Sequence, residues 1–203
     1  MIAIIDYDIG NLSAVANMLH RLGGVCEITS NPEKVQQAEK IILPGNGAFD
    51  ACMRNLQATG LVPLLESKVL DEKIPILGIC VGAQMLGKTS EEGIEPGLGW
   101  IDMHVKKFPD LPGLRVPHMG WNNVSPKMRD HLLVRDMDAD ARFYFVHSYY
   151  MSLDDPDTQL LETEYGIRFA AGVAQGKIAG VQFHPEKSHR FGKQLLSRFL
   201  EWN

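Results

Sequence analysis

The chain has 203 residues, 45% of them hydrophobic, and a formal net charge of -5. That is enough apolar material for one sizeable core, and the length suits a single domain over residues 1–203. The negative charge and the scattered basic residues exclude a nucleic-acid surface, and no apolar run approaches membrane-spanning length.

Met1 to Asp6 is apolar but has no basic flank and no cleavage site, so a cytoplasmic protein is expected. Ile2 to Asp6 predicts a buried strand. Leu12, Val15, Ala16, Leu19 and Leu22 then fall at helical spacing until Gly23-Gly24 stops the helix. Cys26 to Thr29, Lys40 to Leu43 and Ile74 to Ile79 predict three further strands, with helices over about Ala48 to Gln57 and Val62 to Leu70. Such alternation implies a three-layer α/β sandwich, a mostly parallel central sheet with helices on both faces, whose ligands bind beyond the carboxyl ends of the strands. From Gly97 the pattern becomes strand-rich: Trp100 to Val105, Arg142 to His147, Gln159 to Thr163, Phe169 to Ala174 and Ile178 to Val181, then a helix from Gly192 to Leu200. These strands are expected to continue the same sheet. The odd count of three cysteines, with no C-x-x-C spacing, suits a reducing compartment, and Cys26 and Cys52 read as packing residues.

Two segments carry chemistry. Gly78-Ile79-Cys80-Val81-Gly82-Ala83-Gln84 follows an apolar run and precedes a helical pattern, so Cys80 sits at a tight strand-to-helix turn between glycines. A helix amino terminus behind a thiol favours the thiolate and offers free N–H groups to an oxyanion. The second segment is Gln182-Phe183-His184-Pro185-Glu186. In an extended stretch alternate residues face one way, so Glu186 can orient the His184 imidazole. A lone buried cysteine or a lone His-x-Glu is commonly structural. Together they predict a Cys80-His184-Glu186 triad.

These motifs resemble the class I, triad-type glutamine amidotransferases, which hydrolyse the side-chain amide of glutamine and pass ammonia to a synthase. Further stretches are similar to one branch, the glutaminase subunits of imidazole glycerol phosphate synthase: Asp6-Tyr7 with Gly10-Asn11-Leu12, Ser90-Glu91-Glu92-Gly93, Pro117-His118-Met119-Gly120-Trp121-Asn122, Tyr144 to Tyr149, and Gln182 to Ser188. The resemblance implies a flavodoxin-like fold and no cofactor or metal. It also implies that Gln84 and Glu92 hold the amino-acid end of the substrate, and that Ser148-Tyr149 presents backbone groups to its carboxylate. The oxyanion would be met by the N–H of Val81 and by the loop Gly45-Asn46-Gly47 after Pro44. Taken alone, that loop is only a turn, Gln84 an ordinary helix residue and Tyr149 a core aromatic.

The glutaminase-like features run from residue 6 to about 188, so the ammonia acceptor is expected on another chain. The resemblance implies a (β/α)8-barrel cyclase, a heterodimer, and an interface containing His118, Met119, Gly120, Trp121, Asn122 and Lys187. Trp121 could equally be core. The family usually carries an aliphatic residue at Asn46 and leucine-glycine-methionine at Val81-Gly82-Ala83. Asparagine tolerates positive φ better than a β-branched residue, so basal glutaminase activity is expected to be less tightly suppressed. Those departures leave open a paralogue that feeds ammonia to nucleotide-sugar amidation in surface-polysaccharide synthesis. A cysteine hydrolase of the same superfamily and a non-catalytic binding subunit are further alternatives.

Overall fold

Ile2–Ile5 is buried at every position, as a strand covered on both faces must be. The computed structural model describes all 203 residues. In the first half, β1 (Ile2–Ile5), α1 (Leu12–Arg21), β2 (Cys26–Thr29), α2 (Pro32–Gln36), β3 (Lys40–Gly45), α3 (Phe49–Ala58), α4 (Val62–Glu66), β4 (Ile76–Cys80) and α5 (Val81–Gln84) alternate. The stretch predicted as one helix from Val62 is α4 followed by a π turn over Ser67–Asp71. Then come β5 (Thr89–Ser90), β6 (Met103–Lys107), β7 (His118–Asn123), β8 (Ser125–Pro126), β9 (Arg142–His147), β10 (Tyr149–Leu153), β11 (Gln159–Tyr165), β12 (Ile167–Gln175), β13 (Ile178–Val181) and α6 (His189–Glu201).

The main sheet runs in the order β2-β1-β3-β4-β13-β12-β10-β6-β5, with β11 and β8 branching from β12. Its helix-bearing half, β2 through β13, is parallel, and β13 turns back into the antiparallel strands beyond. Helix α1 packs with α6, α2 with α4 and α3 with α5. One apolar cluster of 54 buried residues underlies both halves. No helix is long and apolar enough to cross a membrane.

One expectation is corrected. Arg142–His147 is a strand but does not continue the main sheet; β9 pairs with β7, antiparallel, in a separate two-stranded ribbon that meets the segment after β13 at an isolated Tyr144–His184 bridge. Its burial alternates, with Phe143, Phe145 and His147 pointing inward while the residues between them do not. Period two identifies a strand, but the choice of partner depends on contacts distant in sequence.

Two registers position the functional end. Gly45 lies beside Cys80 across β3 and β4, and Val181 lies beside Ile79 across β13 and β4. Three parallel strands therefore end together, with α5 seated directly on them. That seat has no room for side chains: a Cβ on Gly82 would come 1.9 Å from the Leu43 carbonyl oxygen, and one on Gly45 would come 2.2 Å from the Gly82 nitrogen. Both obstructions are backbone, so neither can rotate away. Gly82→Ala is expected to cost at least about 2 kcal/mol of stability by overpacking, read as a lowered denaturation midpoint.

Candidate active site

The chain passes from β4 into α5 at Cys80, and the turn is too sharp for ordinary backbone. Cys80 has φ 55° and ψ -114°, a region that glycine enters freely and other residues at a cost of about 1–3 kcal/mol. The residue is 3% exposed. Its Sγ lies 4.0 Å from the Val146 carbonyl of β9.

His184 follows β13, and its Nδ1 is 2.8 Å from Glu186 Oε1. Sequence alternation was the wrong reason for this pairing. His184 is extended, but Glu186 lies in a single 3-10 turn over Pro185–Lys187, and that turn returns the carboxylate to the ring. Proline at the first position suits the turn, having no N–H to leave unpaired. The backbone of His184 is clamped twice. Its N–H donates to the Tyr144 carbonyl at 2.9 Å, and its carbonyl accepts from Ser188 Oγ at 2.6 Å.

Both triad side chains are buried, and His184 Nε2 and Glu186 Oε2 have no bonded partner. Burial by itself would lower the His184 pKa. The negative charges and hydrogen bonding of the Cys80 sulfur, taken as thiolate, and of the Glu186 carboxylate outweigh it and push the pKa up to about 9. A cationic imidazole is the counter-charge that a thiolate nucleophile requires.

The predicted oxyanion elements converge on this corner. Val81 begins α5, Gly45 ends β3 beside Cys80, and Asn46 and Gly47 form the exposed loop beyond. Gly47 takes the left-handed conformation, φ 99°, whereas Asn46 does not, so the resting loop makes no use of asparagine's tolerance. Two residues hold the loop: Tyr7, given no role from sequence, and Cys52, read there as a packing residue. The Tyr7 hydroxyl donates to the Pro44 carbonyl, and the Cys52 thiol lies 3.6 Å from the Asn46 carbonyl. Burial pushes the Cys52 thiol up to about 11, which keeps it a neutral donor. A small cavity lined by Gly10, Asn11, Gly45, His184, Glu186 and Lys187 adjoins the His184-Glu186 pair, and Cys80 is not part of its lining. A separate polar depression around Asp6, Asp8 and Ser30 contains none of the triad.

The other site residues divide. Gln84 is 2% exposed, and its Nε2 donates to the Tyr149 carbonyl and to Gln182 Oε1, both at 3.1 Å. Glu92 accepts the Phe49 N–H at 2.9 Å, capping α3 across the chain where the preceding Ala48 cannot. It thereby stands beside the oxyanion loop. Ser148 is half-buried, and its carbonyl accepts from Phe108 N–H at 3.4 Å. On β7, Met119 and Trp121 are 61% and 44% exposed, with Gly120 between them at φ 131°. Trp121 stacks on His189 with centroids 5.4 Å apart. Lys187 is exposed, 6.0 Å from the Tyr144 ring centroid. His118 is the exception: it is 3% exposed, stacked between Phe145 and Tyr165. Strand alternation turns it inward, so it offers no surface to another protein.

Comparison with known proteins follows the same lines. Residues 3–202 match the family Glutamine amidotransferase class-I. The chain is 51% identical over 201 residues to the imidazole glycerol phosphate synthase subunit HisH 2 of Pseudomonas aeruginosa, covering 99% of each chain. It is 47% identical over 204 residues to the corresponding subunit HisH of Bdellovibrio bacteriovorus, covering 99% of this chain and 100% of that one. Among solved structures, PurLQS from Thermotoga maritima superposes with a TM-score of 0.77 at 17% identity, covering 99% of this chain and 97% of that one, a likeness of fold.

A raised pKa means that the protonated ring is the stabilised form, so it is lost on the alkaline side. The kcat/KM for amide hydrolysis is expected to decline as pH rises through about 9. Glu186→Gln removes one upward influence and should move that limb to lower pH. A pH–rate profile of the two proteins checks this, and an unmoved limb would contradict the role of Glu186.

Proposed function

The chain belongs to the class I glutamine amidotransferases and is an enzyme subunit of the imidazole glycerol phosphate synthase kind, and on that premise we propose a role for each residue of the site. Cys80 Sγ attacks the side-chain amide carbon of glutamine, and the Val81 N–H and the Gly45-Asn46-Gly47 loop receive the tetrahedral oxyanion. The C–N bond then breaks, the nitrogen takes the His184 proton and leaves as ammonia, and a glutamyl thioester remains. Neutral His184 next removes a proton from water, which attacks the thioester. Glutamate departs, and the proton lost from water restores the imidazolium. Glu186 holds the ring throughout. Gln84, Glu92 and the backbone of Ser148-Tyr149 hold the amino-acid end, with Glu92 suited to the ammonium.

The observation that most supports this reading is that β4 and β13 are adjacent and parallel, delivering Cys80 and His184 to one edge of the sheet. The whole chain acts as one catalytic domain in the cytoplasm, and its partner is a separate synthase subunit. We assign that partner as a (β/α)8-barrel cyclase in a heterodimer, docked over Met119, Gly120, Trp121, Asn122 and Lys187. It uses the ammonia to form imidazole glycerol phosphate and aminoimidazole carboxamide ribotide. Free ammonia would be protonated and lost in bulk water, so the docked partner must cover the site.

A second reading, the nucleotide-sugar paralogue, is kept open by the departures from the family's usual residues at Asn46 and Val81-Gly82-Ala83. It differs only in the partner.

Glutamine hydrolysis measured for the chain alone, with the cyclase, and with cyclase plus acceptor nucleotide is expected to rise strongly only in the last case. Stimulation by an ATP-dependent sugar amidotransferase instead would select the second reading. Cys80→Ala should lose roughly a thousandfold or more in every condition. Asn46→Val is expected to lower hydrolysis without acceptor, because valine reaches positive φ at greater cost; equal uncoupled rates would remove Asn46 from basal control.

A further inference from the structure

Two buried histidines outside the triad remain unassigned. His118 and His147 face each other across β7 and β9, with His118 Nδ1 2.9 Å from His147 Nε2. His147 Nδ1 is 2.7 Å from the Tyr149 carbonyl oxygen, and the Asn122 Nδ2 amide is 3.3 Å from His118 Nε2. These contacts permit only one arrangement of protons for a neutral pair. A carbonyl can only accept, so His147 carries its hydrogen on Nδ1 and presents a bare Nε2. His118 must then donate from its own Nδ1, and its bare Nε2 accepts from Asn122. A proton added to either ring would set two N–H groups against each other or against the Asn122 amide. Burial lowers both histidines, to about 4 and about 3, and so keeps them neutral.

The series does not end at Tyr149. Its carbonyl also accepts from Gln84 Nε2, whose other hydrogen goes to Gln182 Oε1. Both donors of Gln84 are thus committed, and Oε1 is the only polar atom it has left to offer a ligand.

We propose that His147, oriented by His118, is a positioning residue for glutamine: it fixes the Tyr149 carbonyl and through it turns Gln84 Oε1 toward the substrate as a hydrogen-bond acceptor. This rests on the assignment of Gln84 to substrate binding made above. It commits Gln84 to receiving an N–H of glutamine, and it makes the inward half of β7 part of the substrate site although that strand touches no substrate.

The test is the KM-against-kcat split for glutamine, with the synthase partner and acceptor present. His147→Phe keeps a flat ring and removes the donor; KM should rise about tenfold while kcat stays within about threefold. His147→Asn restores an N–H near the Nδ1 position and should recover most of the loss. An unchanged KM in His147→Phe together with a raised KM in Gln84→Leu would overturn the positioning role alone. An unchanged KM in both would overturn the substrate role of Gln84 and this proposal with it. Should His147→Phe fail to fold, nitrogen NMR of the unsubstituted protein at neutral pH decides. Both rings must appear as the Nδ1–H tautomer, and an Nε2–H tautomer or an imidazolium at either position overturns the proposal.

Discussion

The contact on which this structure depends is the seat of α5 on the ends of β3 and β4, backbone against backbone. At Gly45 and Gly82 any side chain would strike main-chain atoms. Only this close approach lets the chain leave β4 at φ 55° and enter a helix within one residue. The strain at Cys80 persists because the surrounding packing over-determines it, and the sheet register then sets the oxyanion loop beside the thiol. The same seat buries Gln84, whose amide hydrogens must find partners within the protein.

Electrostatics at the site is a balance that burial alone would tip the wrong way. Removing an imidazole from water disfavours its charged form, and at His118 and His147 that effect prevails. At His184 an adjacent carboxylate and thiol reverse it. Burial thus shifts His118 and His147 one way while the neighbours of His184 shift it the other. Strand β9 connects them: it carries His147, its Val146 carbonyl faces Cys80, and its Tyr144 carbonyl anchors the His184 backbone. The ribbon formed by β7 and β9 therefore bears on the Cys80 side chain and the His184 backbone while exposing Met119 and Trp121. Contact made on that outer face is one strand away from the nucleophile.

Much of this was legible in the chain itself. Cys26–Thr29, Arg142–His147 and Ile178–Val181 appear as strands with the predicted bounds, because alternating or continuous apolar runs between turn residues are local signals. The strand-to-helix turn at Cys80 was marked by its glycines. His118–Asn123 was noted only as a motif, since Met119 and Trp121 are the exposed positions of a half-buried strand and obscure its period. Tyr7, Cys52 and Gln182 were legible as buried types at most. Their roles come from hydrogen bonds to residues 37, 6 and 98 positions away, and the 6-residue case crosses a loop whose course was unknown.

The sequence by itself singled out the groups proposed to react, since a thiol between glycines and a histidine two residues before a glutamate are chemistries of residue type and short spacing. It determined as well the alternation of elements that makes a parallel sheet. Tertiary structure decided that Glu186 returns through a 3-10 turn, that β9 leaves the main sheet to pair with β7, and that His118 faces inward beside His147. The last two outcomes are set by strand pairing and burial between distant segments, energies that no window of neighbouring residues contains, whereas the turn is local but has no periodicity to announce it.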